Sequence, residues 1–261
     1  MIANLMENLR DINTRPVYKV LVFAFPNIMW AQETVERLRY MPVDILIGVS
    51  HQTVDDKNFA DCIILPPTFM DSPGPSYPYS LRHWAEVFEE IGKAALPTTL
   101  ALSVGLYIRR YQPRYPGEVN RQPVNYTFGN DCTNFPHSQM LPASEVCEDK
   151  WRYTFYYDDH YHAVSSSNKR ELAAFTQDAG ASFREKLCKL KEEHWSLKFT
   201  VAAMGLEFAD SQKMCYATWY RKIDQLRKVV DFLNQDFTSQ ASYNSCITSL
   251  IFKYDIYRKQ G

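Results

Sequence analysis

Seven residues, Tyr156-Tyr157-Asp158-Asp159-His160-Tyr161-His162, put two carboxylates, two imidazoles and three phenols in one short run. Three kinds of chemistry use such groups: a metal site, a pair of acid–base carboxylates, or the hydrogen-bonded edge of a hairpin. Alternate residues of a strand share a face, which would group Asp158, His160 and His162. Other candidates follow apolar runs: His51 and Gln52, Tyr107 and Arg109, Met204 and Glu207. His51 can serve as acid, base or donor near neutral pH, or as a satisfied structural residue. Arg109 can pair with a carboxylate, and Glu207 is the partner considered. No Ser-His-Asp or Cys-His arrangement can be argued from spacing.

The elements that must position these groups alternate. Val17 to Phe25, Val43 to Ser50, Thr98 to Leu106 and Lys198 to Phe208 are nearly continuous apolar runs, as strands buried on both faces are. Between them stand helical patterns. Ile2, Leu5, Met6, Leu9 and Ile12 share one face, Ala31 to Met41 forms a second helix, and Ser80 caps a third with Leu81, Trp84, Phe88 and Ile91 on one side. Lys169 to Lys191 reads as mostly helical. A last helix carries Trp219, Ile223, Leu226, Val230 and Leu233 in one stripe. Strands alternating with amphipathic helices make a parallel sheet with right-handed crossovers. The predicted fold class is therefore α/β, with about four βα units in one domain over residues 1–261. Residues 108–165, rich in turns and aromatics, are set into it as an insertion.

Composition excludes several function classes. Lysine plus arginine is 29 against 30 acidic residues, so no field favours nucleic acid or an anionic membrane. No run reaches the ~20 apolar residues of a spanning helix. No glycine-rich phosphate loop follows a strand, and no cofactor is expected. The six cysteines, Cys62, Cys132, Cys147, Cys188, Cys215 and Cys246, form no C-x-x-C pair and so do not point to zinc. They suit either a secreted, disulfide-bonded protein or a cytosolic one with isolated thiols. Cys132 and Cys147 bracket a proline-containing loop and are expected to bond. Asn125-Tyr126-Thr127 is a glycosylation sequon.

Three of the strands resemble those of glycoside hydrolase family 18, the chitinases and chitinase-like lectins. VDILIGVSHQ (residues 43–52) is similar to the family's sixth strand, V-D-F-I-x-L-M-T-Y-D. LALSVGLYIRR (100–110) resembles the seventh, with Tyr107 and Arg109 on the family's tyrosine and arginine. TVAAMGLEFADSQKMC (200–215) resembles the eighth. HYHAVSSSNKRELAAFTQDAG (160–180) looks like the end of the family's inserted α+β subdomain. The resemblance implies a partial (β/α) TIM-type barrel, the C-terminal half, closest in style to divergent secreted arthropod proteins.

The departures from the family bear on function. The chain contains no D-x-x-D-x-D-x-E, whose glutamate protonates the leaving sugar oxygen. By strand order that motif would precede Met1. The family's tyrosine and aspartate that position the acetamido group fall on His51 and Gln52, and its subsite tryptophan falls on Met204. The resemblance therefore implies a non-catalytic chitinase-like protein that binds a chitin-type oligosaccharide or a protein partner at the barrel's C-terminal face. One alternative is a chitinase fragment, and another is an interaction protein with no sugar function. Self-association is a further expectation, since half a barrel leaves two sheet edges open. Secretion is expected, from a mature form or fragment without a signal peptide. Barrel chemistry gathers at C-terminal strand ends. The ligand candidates are accordingly His51, Gln52, Tyr107, Arg109, Met204 and Glu207, and the Asp158–His162 run is read as the polar edge of a hairpin, with no metal.

Overall fold

The computed structural model describes residues 22–25, 31–40, 43–53, 62–74, 80–114, 126–133, 139–147, 153–168, 171–209 and 222–248. Four parallel strands form the first sheet: β1 (Val22–Phe25), β2 (Ile45–Gly48), β3 (Thr99–Gly105) and β9 (Thr200–Met204), in the order β1-β2-β3-β9. Helix α1 (Ala31–Tyr40) joins the first two, and α2 (Leu81–Gly92) precedes β3. Helix α4 (Gly180–Glu193) leads into β9, and α5 (Lys222–Leu233) and α6 (Gln240–Thr248) follow it. The fold is α/β, a parallel sheet under helices as in part of a TIM-type barrel. The expected helix at Ile2–Ile12 lies outside the described residues.

Apolar periodicity decides what packs where. The side chains of Leu81, Trp84, Phe88 and Ile91 point into the main core, with Phe183, Leu187 and Leu190 of α4 and Leu226, Val229 and Leu233 of α5. Leu226 and Leu233 of the expected α5 stripe are buried, Val229 takes the place of the half-buried Val230, and Trp219 lies outside the described residues. Ser80 Oγ accepts the His83 backbone N–H at 3.2 Å and caps α2. Trp84 lies flat against Gly48 and donates from Nε1 to Val49 O at 2.9 Å. A Cβ at position 48 would stand 2.5 Å from that fully buried ring. Gly48→Ala is accordingly expected to cost about 1–3 kcal/mol through overpacking, measured by urea unfolding. An unchanged midpoint would show that the ring can move aside.

The second sheet is antiparallel, in the order β5-β4-β8-β7-β6: β4 (Ile108–Tyr111), β5 (Gln139–Leu141), β6 (Tyr153–Asp158), β7 (Ala163–Asn168) and β8 (Ala173–Gln177). A short helix, α3 (Ser144–Cys147), follows β5. Tyr111, Ala163 and Ala174 pack on Ile64, Phe128 and Cys132 on one face, and Ile108, Ala173 and Phe175 pack on Ala143 and Val146 on the other. Of Lys169–Lys191, expected to be mostly helical, residues 180–191 are helical in α4, and the correction concerns the part before them. Ala173–Gln177 is a strand between β4 and β7, laddered on both sides, so sheet context overrides the helix preference of Leu and Ala.

The expected Cys132–Cys147 disulfide is also corrected. Cys132 bonds to Cys62 with Cα atoms 5.0 Å apart, and Cys188 bonds to Cys246. The reason is the sheet itself. Cys132 lies on the face that carries Tyr111, whereas Cys147 ends α3 on the opposite face. Asn125 lies outside the described residues.

Candidate functional site at the strand ends

Parallel strands deliver their C-terminal ends to one face, and four of the candidates meet there. Beyond β2 the chain continues as Ser50-His51-Gln52, and beyond β3 it turns through Leu106 and Tyr107 into β4, which carries Arg109. Tyr107 OH donates to the Gln52 carbonyl, and the Tyr107 and His51 rings meet edge to face with centroids 6.3 Å apart. Arg109 is wholly buried, lies over the Tyr111 ring at 5.7 Å, and reaches Thr53 O from Nη1 at 3.4 Å. His51, Gln52, Tyr107 and Arg109 thus form one cluster. Met204 ends β9 opposite Gly105 and is half-buried, with its carbonyl accepting the Leu106 N–H at 2.9 Å. Glu207 is exposed in the turn Leu206–Phe208 and does not pair with Arg109.

A buried polar network, not foreseen from the sequence, holds the cluster. Ser103 Oγ accepts Ser50 N–H at 2.8 Å and lies 2.7 Å from His51 Nδ1. Tyr111 OH reaches Gln52 Oε1 and Leu65 O, each at 3.0 Å. Asp178, just past β8, takes Thr68 N–H on Oδ2 at 2.9 Å and the Lys186 ammonium on Oδ1 at 2.5 Å. Thr68 Oγ1 accepts Gly105 N–H at 3.0 Å, and Lys186 also donates to Thr68 O. Lys222, at the start of α5, donates to Leu106 O at 2.9 Å. These residues tie the two sheets and α4 together beneath the strand ends. The only sequence signal for them is a carboxylate after a strand with a lysine two turns into the next helix.

Burial sets the protonation states. Burial, aided by the nearby Arg109 cation, lowers His51 to about 4, so its ring is neutral at physiological pH. Burial raises Tyr107 and lowers Lys222, the latter to about 8. The unfolded chain protonates His51 near its ordinary 6.5, well before the folded one does. Stability from this residue is therefore complete above about pH 6.5 and is lost as pH falls toward 4, by an amount on the order of 3 kcal/mol. Denaturant titrations across that window should show the loss, and His51→Gln should flatten it. Equal slopes in the two proteins would refute the assignment.

The Asp158–His162 run is elsewhere. Asp158 pairs with Ala163 at the end of the β6–β7 hairpin, and its Oδ1 accepts the His160 and Tyr161 N–H groups, each at 2.9 Å. His162 Nδ1 stands 3.2 Å from Glu185 on α4. The run is the polar edge of a hairpin, and the described residues contain no group of three metal-type ligands there or elsewhere.

No protein-family model matches the chain, and no curated protein sequence does. Solved structures do. YKL-39, crystallised with chitooligosaccharides, aligns at a TM-score of 0.59 and 13% identity over 88% of this chain and 62% of its own. A family GH18 chitinase from Cycas revoluta, in complex with allosamidin, aligns at 0.55 and 14% over 85% and 60%. The group IV chitinase of Ostrinia furnacalis, also with allosamidin, aligns at 0.60 and 13% over 90% and 63%. At these identities the likeness establishes the fold, and the chain spans less than two thirds of the length of each.

Proposed function

We propose that this chain is a non-catalytic chitinase-like protein that binds a carbohydrate at the C-terminal strand ends, through His51, Gln52, Tyr107 and Arg109, with Met204 and Glu207 at the margin. The observation that carries the reading is the state of Asp178. It is the one buried carboxylate among the described residues, and both its oxygens are taken, by Thr68 N–H and by Lys186. A carboxylate with both oxygens engaged that way is not free to reach a sugar oxygen and deliver the proton that glycoside cleavage needs. The fold neighbours crystallised with chitooligosaccharides or allosamidin support the ligand class.

Secretion belongs to the same proposal. Two disulfides suit an oxidising compartment, and no described helix is long and apolar enough to cross a membrane. So does association through the sheet edges, because β1 and β9 end the parallel sheet among the described residues. The chain is then one (β/α) half-barrel domain carrying an insertion. The alternative, a chitinase whose acid lies on a strand outside this sequence, separates cleanly in the laboratory.

Glycan-array binding and turnover of a chromogenic chitobioside test the reading together. Expected are binding without turnover, loss of binding in Arg109→Ala, and full binding in the double variant His160→Ala, His162→Ala. Turnover by the pure chain, or loss of binding only in the histidine pair, would sink it.

A further inference from the structure

One glycine stands where neither the backbone nor crowding asks for it. Helix α2 ends at Gly92, which is not left-handed, and the left-handed residue of the turn that follows is Ala95, at a φ of 48°. Glycine is favoured at such left-handed positions after a helix and is unfavourable within one. A Cβ at Gly92 would meet nothing within 4 Å. What its absent side chain leaves is room. Gly92 lines a cavity of about 700 Å³ at the N-terminal ends of β3 and β9, the end of the sheet opposite His51 and Tyr107.

The lining is mixed in character. Leu100, Leu197 and Phe199 give it an apolar base and are themselves buried. Thr99 and Ser196 add exposed hydroxyl side chains, and Asn234 uses one end of its amide on Val230 O at 3.3 Å. Two of the three charged residues on it already face a partner: Lys93 Nζ is 2.5 Å from Glu90 Oε1, and Glu89 Oε1 is 2.9 Å from His194 Nδ1. Lys198 is the third. Backbone hydrogen bonds hold the walls. Thr99 N–H donates to Asp44 O at 2.9 Å, Leu197 N–H to His194 O at 3.0 Å, and Phe237 N–H to Trp195 O at 3.1 Å.

We propose that this cavity is a second binding site, for a neutral saccharide of one or two residues. Its ligand class rests on the carbohydrate reading above; its location does not. A sugar hydroxyl both donates and accepts, so it can pair with Thr99, Ser196 and Asn234 whichever way each turns. The C–H face of the ring covers Leu100 and Phe199, and a cavity of this volume is of the size that small ligands fill. A charged ligand gains little, because Lys93 and Glu89 already face partners. With neutral hydrogen bonds alone the expected Kd is about 1 mM, too weak to survive a washed array, which reports the strand-end site.

Amide-resolved NMR of the isotope-labelled full chain, titrated with N,N′-diacetylchitobiose, tests this. Expected are saturable shifts at the backbone amides of Gly92, Thr99, Ser196 and Lys198. Gly92→Tyr places a ring in the open space and is expected to weaken that binding at least about tenfold. Gly92→Ala adds only a Cβ and is expected to bind as the unmodified chain does and to unfold at equal or higher urea. Galacturonate and glucosamine, of opposite charge, are expected to bind at these amides no more tightly than the neutral sugar. Saturable shifts confined to amides around His51 and Tyr107 overturn the second site and leave the strand-end reading intact. No shift at any amide overturns the second site, and the array then still decides the first. Tighter binding of galacturonate would make Lys198 the recognising group and overturn the ligand class. The shifts are read on the unmodified protein, so they decide even if a variant does not fold.

Discussion

Asp178→Ala is expected to destabilise the protein by about 3–5 kcal/mol, the range for breaking a buried ion pair from one side. Asp178 and Lys186 are both fully shielded from water and 2.5 Å apart. Removing the carboxylate strands the ammonium where water cannot replace it. The damage extends further, because the other oxygen of Asp178 holds Thr68 N–H, and Thr68 in turn holds Gly105 N–H through its hydroxyl. One carboxylate therefore joins the end of β8, the segment after β2, and α4. Lys186→Met alone should be costly too, since it leaves the anion unpaired. The double variant Asp178→Leu, Lys186→Met removes both desolvation penalties and is expected to recover a large part of the loss. Recovery should be incomplete, because in the double variant Thr68 N–H and Thr68 O both lose their partners. A double-mutant cycle by urea unfolding reads this directly. Additive costs, with no coupling between the two positions, would show that the pair does not act as a unit.

The strands were legible because burial on both faces leaves a nearly unbroken apolar run. Thr98–Leu106 was expected and Thr99–Gly105 is found. The α2 face was legible because 3.6-residue spacing maps onto one side of a cylinder. Once the strands are placed, His51, Tyr107 and Arg109 follow, since position after a parallel strand fixes which face a residue reaches. The supporting network did not follow. Thr68 and Asp178 are 110 residues apart, and Lys186 reaches Thr68 across 118, distances at which no local pattern reports pairing. The stretch before Asp178 misled as well. Leu172, Ala173 and Ala174 favour a helix locally, and only ladders to β4 and β7 make the segment a strand. Glu207 does lie beyond β9, but the chain turns there and leaves it exposed while Arg109 is buried, so position after the strand does not bring the two together.

Removing the Cys62–Cys132 disulfide as Cys62→Ala, Cys132→Ala is expected to cost about 4 kcal/mol, the loop-entropy value for a span of this size. The two cysteines are 70 residues apart in sequence. In the unfolded chain that link removes many conformations, whereas in the folded chain other contacts already hold the ends together. Cys132 N–H donates to Cys62 O at 2.9 Å, Ile64 N–H to Asn130 O at 2.9 Å, and Gly129 N–H to Ile64 O at 3.0 Å. The variant should therefore keep its native structure at low denaturant and lose stability, not ligand geometry. That distinction matters for the site, because the same segment supplies Leu65 O to Tyr111 and Thr176, and Pro67 O to Gln52. A lowered unfolding midpoint with unchanged glycan binding is the expected pair of results. Peptide mapping without reduction should recover Cys62 linked to Cys132. A Cys132–Cys147 link in that map would overturn both the pairing and the stability argument built on it.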